Sequence, residues 1–148
     1  MTNKVIVFDV DGTLANINHR RHFVAMKPKN WKAFFANMEH DTVNEDVRYI
    51  LETMWEEPSN KIIICSGREI IHKPQTVRWF ERNKIPYHDI YMRAEKDYRP
   101  DYQVKVELLQ EIRNTYGNPY LWFDDRQQVV DAIRAQGVRV LQVDEGNF

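Results

Sequence analysis

At 148 residues the chain has room for one domain around one hydrophobic core. Its residues are 43% hydrophobic and 29% charged, the mixture of a soluble globular protein, and a formal net charge of −1 excludes a global pull toward nucleic acid or membrane. The single cysteine, Cys65, excludes an intrachain disulfide and a thiolate metal cluster.

Val5-Ile6-Val7-Phe8 is a short apolar run that reads as a buried strand, predicted over 4–10. Met1-Thr2-Asn3-Lys4 runs straight into it and leaves no room for a signal peptide. No stretch further on approaches the roughly 18 apolar residues that span a bilayer. A cytoplasmic protein without a membrane partner is the expectation. Asn44 can cap a helix over 45–56, where Val47, Ile50, Leu51, Met54 and Trp55 repeat at helical spacing. Pro58-Ser59-Asn60 stops it, and a second strand follows over 61–65. Pro74 starts a helix to about residue 83, and 89–92 is a short third strand. Pro100-Asp101 opens a helix that Gly117 closes after Tyr116. A fourth strand is predicted over 120–123, a helix over 126–136 with Val129, Val130 and Ile133 inward, and a fifth strand over 138–143.

Repeated strand–helix–strand units predict an α/β fold: a parallel sheet covered by helices, with ligands beyond the C-terminal strand ends. Four segments place chemistry-bearing residues at those ends: Asp9 and Asp11, then Ser66, then Arg93, then Asp124 and Asp125. Residues 16–41 interrupt the alternation, with Trp31, Phe34, Phe35 and Met38 at roughly helical spacing. One or two short helices are expected there. They lie over the site as a small cap, or else pack against the sheet edge without meeting substrate.

Asp9-Val10-Asp11-Gly12-Thr13 delivers two carboxylates to the end of the first strand. Two acids that close repel each other unless a cation compensates. Gly12 lets the backbone turn, and Thr13 adds a hydroxyl and an N–H. The arrangement suits a carboxylate nucleophile, an acid/base carboxylate and a magnesium ion acting on a phosphoryl group. At the next strand end, the Ser66 hydroxyl followed by Gly67 can donate to a phosphoryl oxygen while the backbone comes close. Cys65 beside it reads as a small buried side chain. Lys105 could balance the charge of the acids and the phosphoryl group. Asp124-Asp125, ending a buried strand, needs a cation or hydrogen-bond donors. Arg68, Arg93, Arg99 and Arg126 lie near this edge and could grip phosphates. His19, Arg20, Arg21, Lys27, Lys29 and Lys32 form a locally basic stretch, and bases could stack on Trp31 or Tyr102.

The string Val7-Phe8-Asp9-Val10-Asp11-Gly12-Thr13-Leu14-Ala15 resembles the first motif of the haloacid dehalogenase (HAD) superfamily. Cys65-Ser66-Gly67-Arg68-Glu69 resembles its second, and Phe123-Asp124-Asp125-Arg126 its fourth. Tyr98-Arg99-Pro100-Asp101-Tyr102-Gln103-Val104-Lys105 resembles the region supplying the third-motif lysine in phage polynucleotide phosphatases. With the tail from Gly137 to Phe148, the similarity to the 3′-phosphatase domain of bacteriophage polynucleotide kinase-phosphatases spans nearly the whole chain, least securely over 16–41.

The resemblance implies a HAD-like Rossmannoid three-layer sandwich with a small helical cap insertion, as one domain over 1–148. It implies Asp9 as nucleophile, Asp11 as general acid/base, and Ser66 and Lys105 as phosphoryl stabilisers. Thr13, Gly67, Arg68, Arg93, Arg99 and Arg126 would face substrate. Mg²⁺ would be held by the carboxylates of Asp9 and Asp124 and the Asp11 carbonyl, with Asp125 in support. Asp9 would start ionised and Asp11 protonated. The implied activity is hydrolysis of 3′-phosphate ends of polynucleotides, or of nucleotides. The alternatives are a small-molecule or nucleoside-monophosphate phosphatase and a non-catalytic module that binds nucleic-acid ends. The five glycines, at 12, 67, 117, 137 and 146, make no Gly-x-x-x-x-Gly-Lys-Ser/Thr loop, so no kinase activity is expected. A separate kinase or ligase in the same pathway would then be a partner.

Overall fold

The computed structural model describes residues 3–148. Five strands form a parallel sheet: β1 (Lys4–Phe8), β4 (Asn60–Glu69), β5 (Asp89–Arg93), β6 (Leu121–Asp124) and β7 (Val140–Gln142), in the order β5-β4-β1-β6-β7. Two two-residue strands, β2 (Ala15–Asn16) and β3 (Thr42–Val43), pair antiparallel outside it. The main helices are α3 (Glu45–Trp55), α4 (Lys73–Arg82), α5 (Asp101–Tyr116) and α6 (Gln127–Ala135). Between β2 and β3 lie the short α1 (His22–Ala25) and α2 (Trp31–Ala36), then a 3₁₀ turn at Met38–His40.

The continuous apolar runs of the central strands follow from burial on both faces. Side chains alternate along a strand. Ile6 and Phe8 of β1, with Ile62 and Ile64 of β4 and Phe123 of β6, face Val47 and Leu51 of α3 and Trp79 and Phe80 of α4. Val5, Val7, Ile63, Cys65 and Trp122 point the other way, onto α5 and α6. Phe8 and Phe123 stack at 4.6 Å across neighbouring strands. The result is the three-layer arrangement expected from the alternating elements, with the parallel sheet in the middle.

Two differences from the expected elements shape the site. The first strand stops at Phe8, not Val10: after Asp9 donates its N–H to the Phe123 carbonyl, the Val10 carbonyl accepts from both Thr13 and Ala15, and the chain turns with Gly12 at φ +83°. The second strand runs on to Glu69, with a register shift between Ser66 and Glu69, so Ser66-Gly67-Arg68 is an irregular continuation of β4. The 16–41 excursion is as short-helical as expected, but the β2–β3 pair that ties its two ends together was not foreseen. Val24 and Phe34 from it join the core on the α3 and α4 face. No helix among the described residues is long and apolar enough to cross a membrane.

Candidate active site

The C-terminal strand ends meet at a cleft of about 810 Å³. Its floor is a knot of buried charge. Lys105, on the second turn of α5, is 1% exposed, and its Nζ donates to Asp9 Oδ1 at 2.8 Å and Asp124 Oδ2 at 2.9 Å. The Thr13 hydroxyl donates to Asp9 Oδ2 at 3.1 Å, and Trp122 Nε1 donates to Asp124 Oδ2 at 3.2 Å. Asp124 Oδ1 accepts the N–H groups of Asp125 and Arg126. α5 carries Lys105 inward because Val104, Leu108, Leu109 and Ile112 bury the same side of the helix.

Asp9, Asp124 and Asp125 each bring a carboxylate oxygen within 4.8 Å of the others. Burial first, then the charges of Asp124 and Asp125, push the Asp9 carboxyl well up against the pull of Lys105. Burial and the Asp124 charge push Asp125 to about 7. Asp125 Oδ2 is buried with no hydrogen-bond partner. Three buried acids, one lysine and an orphan carboxylate oxygen fit a hard cation with oxygen ligands. Gly12 is part of that fit: a Cβ there would lie 2.0 Å from Asp125 Oδ2.

Asp11 does not join this group through its side chain. Arg68 holds it bidentately, Nε to Oδ2 at 3.1 Å and Nη2 to Oδ1 at 2.6 Å, and Arg20 Nη2 donates to the same Oδ1 at 2.5 Å. Burial opposes the Asp11 charge, but the two guanidiniums outweigh it and hold the carboxyl well below the usual range. The protein's own charges thus push the two carboxyls in opposite directions, Asp9 up and Asp11 down. Asp11 is ionised between two cations, while Asp9 is pushed up beside two acids. A bound cation would offset those neighbouring charges and favour the ionised form of Asp9.

Arg20 and Asp41 are the functional residues that sequence reasoning missed. Arg20 reads in the sequence as one cation of a locally basic stretch, yet it is fully buried. It donates to both Asp41 oxygens, at 2.8 and 2.6 Å, and to the Phe34 carbonyl at 3.2 Å. No local signal marks either residue; only the closure of 16–41 over Asp11 brings them together. The arginines named from sequence fall in different places. Arg68 is buried on Asp11 and also donates to the Thr76 hydroxyl. Arg93 donates to the carbonyls of Gly67, Asp97 and Arg99. Arg126 pairs with Asp101 at 3.5 Å and donates to the Phe148 carbonyl. Arg99 lies at the cleft rim, paired with Asp97 and Glu107. Ser66 is buried, and its Oγ accepts the Arg68 N–H at 3.1 Å. Gly67 lets the Asp101 carboxylate come close, since a Cβ there would meet Asp101 Oδ1 at 2.0 Å. Cys65 is fully buried, and burial pushes its thiol up, out of reach of nucleophilic use.

A parallel sheet with this knot of aspartates and one buried lysine at its C-terminal edge defines a HAD-type phosphatase. The sequence model of the polynucleotide kinase PNKP phosphatase domain matches residues 3–148, and the chain belongs to that family. Among solved structures it is similar to a chain of a Pnkp1/Rnl/Hen1 complex, with 31% identity and a TM-score of 0.82 over 99% of this chain and 48% of that one. It is also similar to a chain of the Pnkp1/Rnl/Hen1 RNA repair complex, with 30% identity and a TM-score of 0.84 over 99% of this chain and 44% of that one. The chain therefore spans about half the length of these relatives. A hydrolase from Streptococcus pneumoniae TIGR4 shares the fold at 16% identity, with a TM-score of 0.67 over 98% of this chain and 95% of that one.

Proposed function

We propose that this chain is a Mg²⁺-dependent phosphomonoesterase that removes 3′-phosphates from polynucleotide ends or nucleotides through an aspartyl-phosphate on Asp9. The observation that carries this reading is the buried Asp9–Lys105–Asp124 bridge beside the orphan oxygen of Asp125, one loop away from Asp11. The carboxylates of Asp9, Asp124 and Asp125 and the backbone at Asp11 would hold Mg²⁺. The ion supplies charge neutralisation for the phosphoryl oxygens. An Asp9 oxygen attacks phosphorus in line, and the bond from phosphorus to the leaving alcohol oxygen breaks. Asp11 gives its proton to that oxygen, then takes a proton from the water that cleaves the aspartyl-phosphate. Lys105, Ser66 and nearby N–H groups stabilise charge on the equatorial oxygens.

Asp11 needs a proton before it can give one, so its carboxyl has to loosen from the bidentate grip of Arg68. An approaching phosphate dianion is a competing partner for Arg68, which lines the cleft, while buried Arg20 keeps the carboxyl in place. Residues 16–41 act as a small cap on a single phosphatase unit. The names of the RNA repair relatives support a role in end healing, with a kinase or ligase as pathway partners.

Phosphate release with Mg²⁺ from 3′- and 5′-phosphorylated oligonucleotides and 3′- and 5′-nucleoside monophosphates tests the reading, with Asp9→Asn as control. Preference for the 3′-phosphorylated strand, lost in Asp9→Asn, is expected. Preference for monophosphates would move the substrate class to nucleotides, and binding without release would leave only an end-recognition module.

A further inference from the structure

Trp31, Phe34 and Phe35 project from one side of α2, at positions i, i+3 and i+4. A six-residue helix is too short to hold itself in water, so packing fixes it. Phe34 does that packing and is 2% exposed. Trp31 does not: it is left 38% exposed, and it lines the catalytic cleft together with Phe35. The two rings stack, 6.0 Å apart and 22° from parallel, and Phe35 stacks in turn on His72 at 5.3 Å and 25°. A ladder of three rings thus runs along the cleft wall from 16–41 to the 3₁₀ turn at Ile70–His72 that follows β4. Tyr102, the other aromatic considered for stacking, is not among the described residues that line the cleft.

Arg20 and Phe34 link this wall to Asp11. Arg20 donates to the Phe34 carbonyl through Nη1 and to Asp11 through Nη2, and its guanidinium lies 4.1 Å from the Phe34 ring centroid. In an in-line displacement the leaving oxygen departs opposite the nucleophile, toward the acid that protonates it. Asp11 therefore marks the side on which the leaving alcohol sits, and the rest of the leaving group extends along the surface continuous with Asp11. The aromatic ladder lines the same cleft as Asp11. Lys29, with Nζ 5.6 Å from the Trp31 ring centroid, and Lys32, which lines the cleft, add positive charge beside it.

We infer that Trp31 and Phe35 form a stacking wall for the nucleobase of the nucleotide whose phosphate is removed, and so select nucleotide ends over other phosphomonoesters. The inference rests on the 3′-phosphatase reading and names the side chains that would give it specificity. Stacking reads the ring face that every base has, so the wall tolerates any base.

The test compares kcat/KM for a 3′-phosphorylated dinucleotide with that for the same substrate lacking its terminal base. Wild type is expected to favour the base-bearing substrate, and Trp31→Ala to cut that ratio by about 5- to 150-fold. Trp31→Phe should restore most of the ratio, and Phe35→Leu should reduce it. Thermal melts identify any variant that fails to fold, and Trp31→Phe keeps the test decisive in that case. Equal rates on the two substrates in wild type, or an equal loss on both in Trp31→Ala, would overturn the inference and leave the 3′-phosphatase reading standing. A wild-type enzyme that releases phosphate from no nucleotide end would sink both.

Discussion

Lys105 balances charge that the neighbouring acids cannot. It is the only cation hydrogen-bonded to Asp9 and Asp124 among the described residues, and both acids are buried with it. Removing one partner of a buried ion pair leaves its acids uncompensated, at a cost of about 3–5 kcal/mol. Lys105→Met should therefore lower Tm by several degrees in EDTA and abolish phosphate release. Mg²⁺ should recover more of the melting temperature in this variant than in wild type; an equal Mg²⁺ shift in the two proteins would count against a shared cation site. Gly12 offers a second check. A Cβ there meets Asp125 Oδ2, and a φ of +83° suits few other residues. Gly12→Ala should weaken Mg²⁺ affinity at least tenfold by titration calorimetry, with a smaller loss of Tm than Lys105→Met.

The β2–β3 pair and the Arg20–Asp41 bridge hold 16–41 as a closed excursion, and Arg20 carries that closure to Asp11. Asp41 also accepts from His19, and its carbonyl accepts from Trp79 Nε1 on α4. In the proposed mechanism Arg20 is then a positioning residue for the general acid. Arg20→Gln should lower kcat more for alkyl phosphates, whose leaving oxygen needs a proton, than for aryl phosphates, whose leaving group departs without one. The full contribution of a general acid is about 10²- to 10⁴-fold, and the loss on alkyl substrates should fall within it. A uniform loss across leaving groups would show that Arg20 holds the fold and not Asp11. The longer helices were legible because apolar residues repeat on one side: Val47 and Leu51 of α3, and Val129, Val130 and Ile133 of α6, are all buried. β2 and β3 were not, since two residues carry no period and pair across a gap of more than twenty positions.

Acids gathered at one sheet edge make the stability of the whole molecule depend on pH and on any cation they bind. The Asp125 carboxyl, near 7 in the folded protein, binds its proton over a range where the unfolded chain has already lost it. The folded state therefore loses stability as pH rises from about 4 to 7. Asp9 is displaced in the same direction. Asp11 is displaced the other way, but its stabilising contribution is complete above about pH 4 and adds no slope in this window. In EDTA, Tm should fall between pH 5 and pH 8. Mg²⁺ should raise Tm more at pH 8 than at pH 5, and its binding should release protons, read as a heat that varies with buffer ionisation enthalpy. A Mg²⁺ shift of the same size at both pH values would remove these carboxylates from the metal site.

The order of strands and helices, the two-sided core of the sheet and the gathering of Asp9, Ser66 and Asp124 at one edge were already determined by the sequence. Periodicity and strand-end position are local properties, and a parallel α/β topology leaves little freedom in where strand ends point. The burial of Arg20, the pairing of Arg68 with Asp11, the orphan oxygen of Asp125 and the ring ladder from Trp31 to His72 were decided only by tertiary structure. Each depends on side chains far apart in sequence reaching one place, and the charge state of Asp11 depends on which cations arrive there. An arginine in a basic run looks solvated until the fold supplies Asp41, 21 positions away, to receive it.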